Sequence, residues 1–243
     1  MSTKITYIAV AIAAIICAFI FSNAYKYKFK STNTINVTGL ADKSFESDQI
    51  VWNGTFSRKS YELETAYSAV KEDETTIKDY LKNKGINDNE MVFSSIAINK
   101  EFDTKFATDG RQTGSEFTGY SLSQTITIDS KDLNKVEKIS REITELIQDG
   151  IELNSSTPNY YYNKLSELKL DLLAKASADA KQRAETIAKN SGGDLGNIKK
   201  CNMGVFQITG LDSNDDFSYG GAFNTSSRLK KASITVKVEY GVD

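Results

Sequence analysis

Histidine is absent from the 243 residues. That absence removes the commonest general base, the serine–histidine–aspartate and cysteine–histidine nucleophile systems, and most zinc sites. Cysteine is almost as scarce. Cys17 and Cys201 lie far apart in the chain, form no CxxC motif and imply no disulfide framework. Cys201, among apolar strand residues, is expected to be a small buried hydrophobe. The single proline, Pro158, suits a chain dominated by regular elements. A net charge of −2 without a basic stripe gives no reason to expect nucleic acid as a partner. The nucleotide-binding G-x-G-x-x-G and G-x-x-x-x-G-K-[ST], the G-x-S-x-G elbow and H-E-x-x-H are all missing.

One long apolar run is present, from Ile5 to Phe21, broken only by Thr6. As a helix it is about 25 Å long, close to the hydrocarbon thickness of a bilayer. Two readings stand. Ser22-Asn23-Ala24 has the small-x-small form of a signal-peptide cleavage site. Against cleavage, the run exceeds a usual signal core and Lys26, Lys28 and Lys30 follow at once. Residues 1–24 are therefore expected to be a membrane anchor or a signal peptide, 25–33 a spacer and 34–243 the folded domain. The lysine balance alone places the domain on the cytoplasmic side.

The strongest helical signal runs from Asn163 to Gly193. Leu168, Leu172, Ala176, Ala180, Ala184 and Ala188 recur every fourth residue, giving one apolar face that narrows from leucine to alanine. Such a methyl-sized ridge lets a helix axis lie close to its cover, and flanking strand patterns make that cover a β-sheet. Asn163 is the expected N-cap and Gly192-Gly193 the stop. Two further helices are expected, over Leu63 to Leu81 and over Leu133 to Ile147. Strands are expected at Ile35–Thr38, around Trp52, over Val92–Phe102, over Thr118–Ile128, between Leu195 and Ile208, and over Ala232–Tyr240. The fold class is α+β, with antiparallel or mixed sheets and about three helices packed on them after the N-terminal helix.

No catalytic, cofactor-binding or metal-ligating set emerges from these residues, and no cofactor is expected. Glu46, Asp48, Glu101 and Asp103 are the carboxylates that could pair across a cleft as acid and base. Tyr160, Tyr161 and Tyr162 could form a stacking platform, though a sheet edge is the simpler role. Asp212, Asn214 and Asp216 imitate half of a calcium loop. Phe217 occupies the position that needs glycine, and Phe223 the position that needs the bidentate glutamate.

Several pieces in order resemble the SIMPL-domain family of bacterial envelope proteins. They are Ile35-Asn36-Val37-Thr38-Gly39, Asp48 before the second strand, Phe117-Thr118-Gly119-Tyr120, and Asp149-Gly150-Ile151. The alanine-rich helix ending in Gly192-Gly193-Asp194-Leu195-Gly196 and the final alternating strand complete the set. The likeness covers residues 34 to 241; Leu40-Ala41 and Ser47 depart from its usual pattern. The resemblance implies an exported or membrane-anchored α+β protein, oligomeric and without established catalytic residues, in a family linked to envelope and oxidative-stress phenotypes. It implies an extracytoplasmic domain, against the lysine balance. The expected function is a non-enzymatic envelope protein that self-associates, with the membrane as partner of its N-terminal helix. The alternatives are a module binding a small molecule or peptide and, more remotely, a carboxylate hydrolase.

Overall fold

The structure is a computed structural model describing residues 2–30, 33–215 and 218–242; within the first helix the side chains described are Tyr7 and 10–26. That helix, α1 (Ser2–Lys30), leaves every described side chain exposed, including Ile12, Ile15, Ile16, Phe19 and Ile20. Among the described residues no helix is long and apolar enough to cross a membrane.

The rest is α+β, built from two antiparallel sheets. In the first, β1 (Thr34–Glu46) pairs with β10 (Leu229–Val242), whose other side carries β8 (Leu195–Met203) and β9 (Gln207–Gly210) end to end. One face of this sheet is sealed by α4 (Leu165–Asn190), which buries Leu168, Leu172, Ala176, Ala180 and Ala184 against Val236, Val238 and Tyr240, with Ala188 also buried. The predicted alanine face is the one that is covered. Close approach is what the alanines permit. A Cβ added at Gly39 would lie 2.1 Å from the Ala176 carbonyl oxygen and 2.8 Å from the Ala180 Cβ. Gly39 was expected to end its strand. Instead β1 runs through it, because the missing side chain is needed for contact with the helix and not for a turn.

The second sheet has β5 (Gln112–Ser130) and β2 (Gln49–Ser60) at its centre. Outside β5 lie β3 (Met91–Phe93) and β4 (Ala97–Phe106); outside β2 lie β6 (Leu153–Ser155) and β7 (Asn159–Tyr161). Two helices, α2 (Leu63–Asn83) and α3 (Leu133–Glu142), cover one face and form its core with Ile50, Trp52, Phe56, Leu122, Ile126 and Ile128. The Trp52 indole lies across Gly54, where a Cβ would come within 2.6 Å of the ring. Its N–H donates to Ser155 Oγ at 3.0 Å, and that hydroxyl donates to the Ser140 carbonyl at 2.7 Å, so no buried polar group of this relay is left open. On the opposite face Thr55 meets Thr125, and Thr127 donates to Asn53. Ser121, Ser123, Thr125 and Thr127 alternate along β5 on this side.

Three expectations fail locally. The helix predicted to run through Ile147 becomes 3₁₀ over Ile143–Asp149. With three residues per turn, Ile143 and Leu146 share the buried side and Ile147 is turned outward, 68% exposed. Asn163 is not the N-cap of α4: its backbone N–H and side-chain amide both donate to Asp48, and the helix starts two residues later. Cys201 is exposed, as is Cys17. It sits on edge strand β8 opposite Val238, beyond the width that α4 covers.

Candidate interaction surface

The sequence-proposed carboxylates do not converge on one centre. Glu46 accepts from Arg228 at 2.7 Å, and Asp48 accepts from Asn163 at 2.8 Å; both line a shallow cavity of about 560 Å³ with Ser47, Asp132 and Asn134. Arg228 also donates to Asn134 and Glu137 on α3, so one guanidinium ties β1, β10 and α3 at the junction of the two sheets. Its positive form is held further above the usual arginine range, chiefly by the Glu46 hydrogen bond. Glu101 and Asp103 lie elsewhere, on β4, where Glu101 pairs with Lys59 at 2.8 Å. The tyrosines divide their roles at a sheet edge. Tyr160 and Tyr161 belong to β7, with Tyr160 donating to Glu137, while Tyr162 packs on Phe45 at 4.7 Å between ring centres. Burial, followed by the Glu137 contact, pushes the Tyr160 phenol up to about 12.

Of the imitation calcium loop, Asp216 and Phe217 lie outside the described residues. Asp215, which the sequence did not single out, accepts from the Gly210 N–H and the Asn224 amide, both at 2.8 Å. Beside them the ammonium of Lys230, 2% exposed, donates to the Asn224 carbonyl. Burial pushes this lysine down to about 8, opposed by the charge of Asp215. Among the described residues no group of three or more acidic or sulfur ligands is placed to hold a metal. A second charged cleft, of about 460 Å³, is centred on Arg58, which grips buried Asp73 through Nε at 2.6 Å and through its terminal amine at 2.8 Å. That bidentate pair fastens β2 to α2 and leaves the carboxylate no free oxygen for proton transfer.

What the fold leaves uncovered is more informative. β2 pairs with β5 only from Tyr120 onward, so residues 112–119 and the β4 residues opposite them project as a two-stranded arm about 25 Å long. Ile98 stands opposite Leu122 and Phe102 opposite Phe117, so the apolar face of the arm continues the buried face of the sheet. No helix follows it outward. Tyr61 covers Phe117 at 5.3 Å, and Phe117 in turn contacts Phe102 and Tyr120. Along this face Ile98, Phe102 and Phe106 nonetheless remain 54%, 55% and 65% exposed. The outer edge of β4 has no strand partner among the described residues. The edge of β1 is treated differently: the Leu40 N–H donates to Asp179 Oδ2 at 2.8 Å. That bond, followed by Arg183, holds the Asp179 carboxyl below the usual range. The expected strand over Val92–Phe102 marked extended backbone here, and nothing in the sequence assigned Phe102 to a face. Nor did the sequence carry any sign of whether that face is covered.

A family model described as SIMPL, protein of unknown function (DUF541), matches residues 35–240. The chain belongs to the SIMPL family. The match begins within β1 and ends within β10, so the SIMPL unit is the pair of sheets with their three helices, and α1 precedes it. No curated protein matches the chain. The family description assigns no activity, so any function must be argued from these surfaces.

Proposed function

We propose that this SIMPL protein is a membrane-anchored envelope protein, its domain outside the cytoplasm, that acts by contact rather than catalysis and self-associates through the β4–β5 arm. The observation that carries this reading is the uncovered aromatic face of the arm. A two-stranded ribbon is marginal in water, and burying Phe102 and Phe106 would contribute about 1.5–3 kcal/mol each. Support for the anchor is the apolar run from Ile5 to Phe21, whose described side chains pack on neither sheet. Non-catalytic action fits the engagement of Glu46, Asp48, Glu101 and Asp73 in local pairs.

The test is fractionation followed by mass measurement. The protein is expected in the carbonate-resistant membrane pool at its full 26.9 kDa, and in nonionic detergent at a multiple of that mass. A shortened product in the soluble pool would overturn the anchor, and a strict monomer the self-association.

A second reading, a binding module, is favoured by one observation. A groove of about 300 Å³ lies between Leu40 and Val205, floored by Ser233 and Thr235 and edged by the Lys231–Asp42 ion pair. Fragment-induced NMR shifts clustered at Leu40 and Val205 would support it, and shifts scattered over the surface would count against it.

A further inference from the structure

From the outer edge of β4 we infer that two copies of this chain join their second sheets there, antiparallel, about a two-fold axis through Thr104; this rests on the self-association proposed above. The segment Phe102-Asp103-Thr104-Lys105-Phe106 is complementary to itself read backwards. An antiparallel pair centred on Thr104 places Phe102 opposite the second copy's Phe106, and Asp103 opposite its Lys105. Each match occurs twice by symmetry. Residues directly opposite in such a pair point to the same face, and the register respects this: the phenylalanines lie on the apolar face and the charges on the other.

The arm by itself leaves one carboxylate without a cation, and this register places one opposite it. Asp103 stands directly opposite Glu116, two like charges where a sheet is destabilised by them. Lys105 reaches Glu116 at 2.8 Å, while the Asp103 side chain has no ion pair or hydrogen bond among the described residues. In this register the second copy's Lys105 lies directly opposite Asp103, so its ammonium bridges Asp103 and its own Glu116. On the other face its Phe106 extends the row formed by Phe102, Phe117, Tyr120 and Tyr61. The contact spans few residues, so it is weak in free solution. Confinement of both copies to one membrane raises their effective concentration enough for a weak contact to form.

Full-length protein in nonionic detergent provides the test, in a Cys17→Ser/Cys201→Ser background. Thr104→Cys should form an intermolecular disulfide readily, and Asn99→Cys, far from the axis in this register, should not. Asp103→Lys and Lys105→Asp should each weaken association about tenfold. An equimolar mixture of the two, which restores opposite charges at both contacts, should recover it while each variant keeps its circular dichroism spectrum. If the parent chain is monomeric, self-association itself fails. If it associates but Thr104→Cys does not cross-link, or the mixture does not recover, the β4 register is overturned and the self-association survives through another surface.

Discussion

Gly39 on β1 and Ala180 on α4 leave no room between them for a methyl group: a Cβ at Gly39 would sit 2.5 Å from the Ala180 backbone nitrogen and 2.8 Å from its Cβ. The whole of the first sheet depends on this approach, since α4 is its only covering helix among the described residues. Gly39→Ala is therefore expected to cost about 3 kcal/mol and Ala180→Leu about 1–3 kcal/mol, because both push helix and strand apart. For a chain of this size the glycine variant should melt about 6–12 °C lower. Thermal unfolding followed by circular dichroism checks both; unchanged midpoints would mean that α4 can shift away from β1 without loss.

The Arg58–Asp73 pair holds the second sheet to α2, and its asymmetry sets the next expectation. The Asp73 side chain is 6% exposed and that of Arg58 35%. Arg58→Met strands a buried carboxylate and should cost about 3 kcal/mol, whereas Arg58→Met with Asp73→Leu should return to within about 1 kcal/mol of the parent. Urea midpoints with unchanged slopes decide it. A double variant as unstable as the single one would show that the pair is needed for its geometry and not only for charge balance.

Much of the fold was legible because it is written in periodicity. The four-residue spacing from Leu168 to Ala188 and the alternation from Ala232 to Tyr240 each report a buried face, and both faces are buried. Periodicity also separated the core side of β5 from its threonine side. It could not report pairing: β1 joins β10 across almost the whole chain, and no local residue encodes that choice. Local rules also failed where tertiary contacts outbid them. Gly39 resembled a strand terminator, and Asn163 a helix cap. One is occupied by α4 and the other by Asp48. Phe102 and Phe106 continue a core face, and only the structure reveals this and that α2 and α3 stop short of them.

Lys230 gives a pH dependence of the same sign as that of a paired carboxylate, stability rising with pH, but placed in the alkaline range. Its folded pKa is lowered to about 8 by burial, from an ordinary value of 10.5. Between these two values the unfolded chain binds more protons than the folded one, so this group makes stability rise with pH; below about 8 its burial cost is fully present. Replacing it by methionine should remove that rise. Urea midpoints of parent and Lys230→Met, compared between about pH 7 and about pH 10, should diverge in slope; parallel curves would mean that the ammonium stays charged and solvated throughout.

The proposed self-association requires that copies of the chain meet at the exposed aromatic face of the β4–β5 arm. Sedimentation equilibrium of the full chain in density-matched detergent, for the parent and for Phe102→Ser/Phe106→Ser, tests this most directly. Both side chains are more than half exposed, so the double variant should fold as the parent does. The parent mass is expected to rise with concentration to a multiple of 26.9 kDa, and the variant to stay monomeric. Identical masses for the two proteins, whether single or multiple, would contradict that expectation.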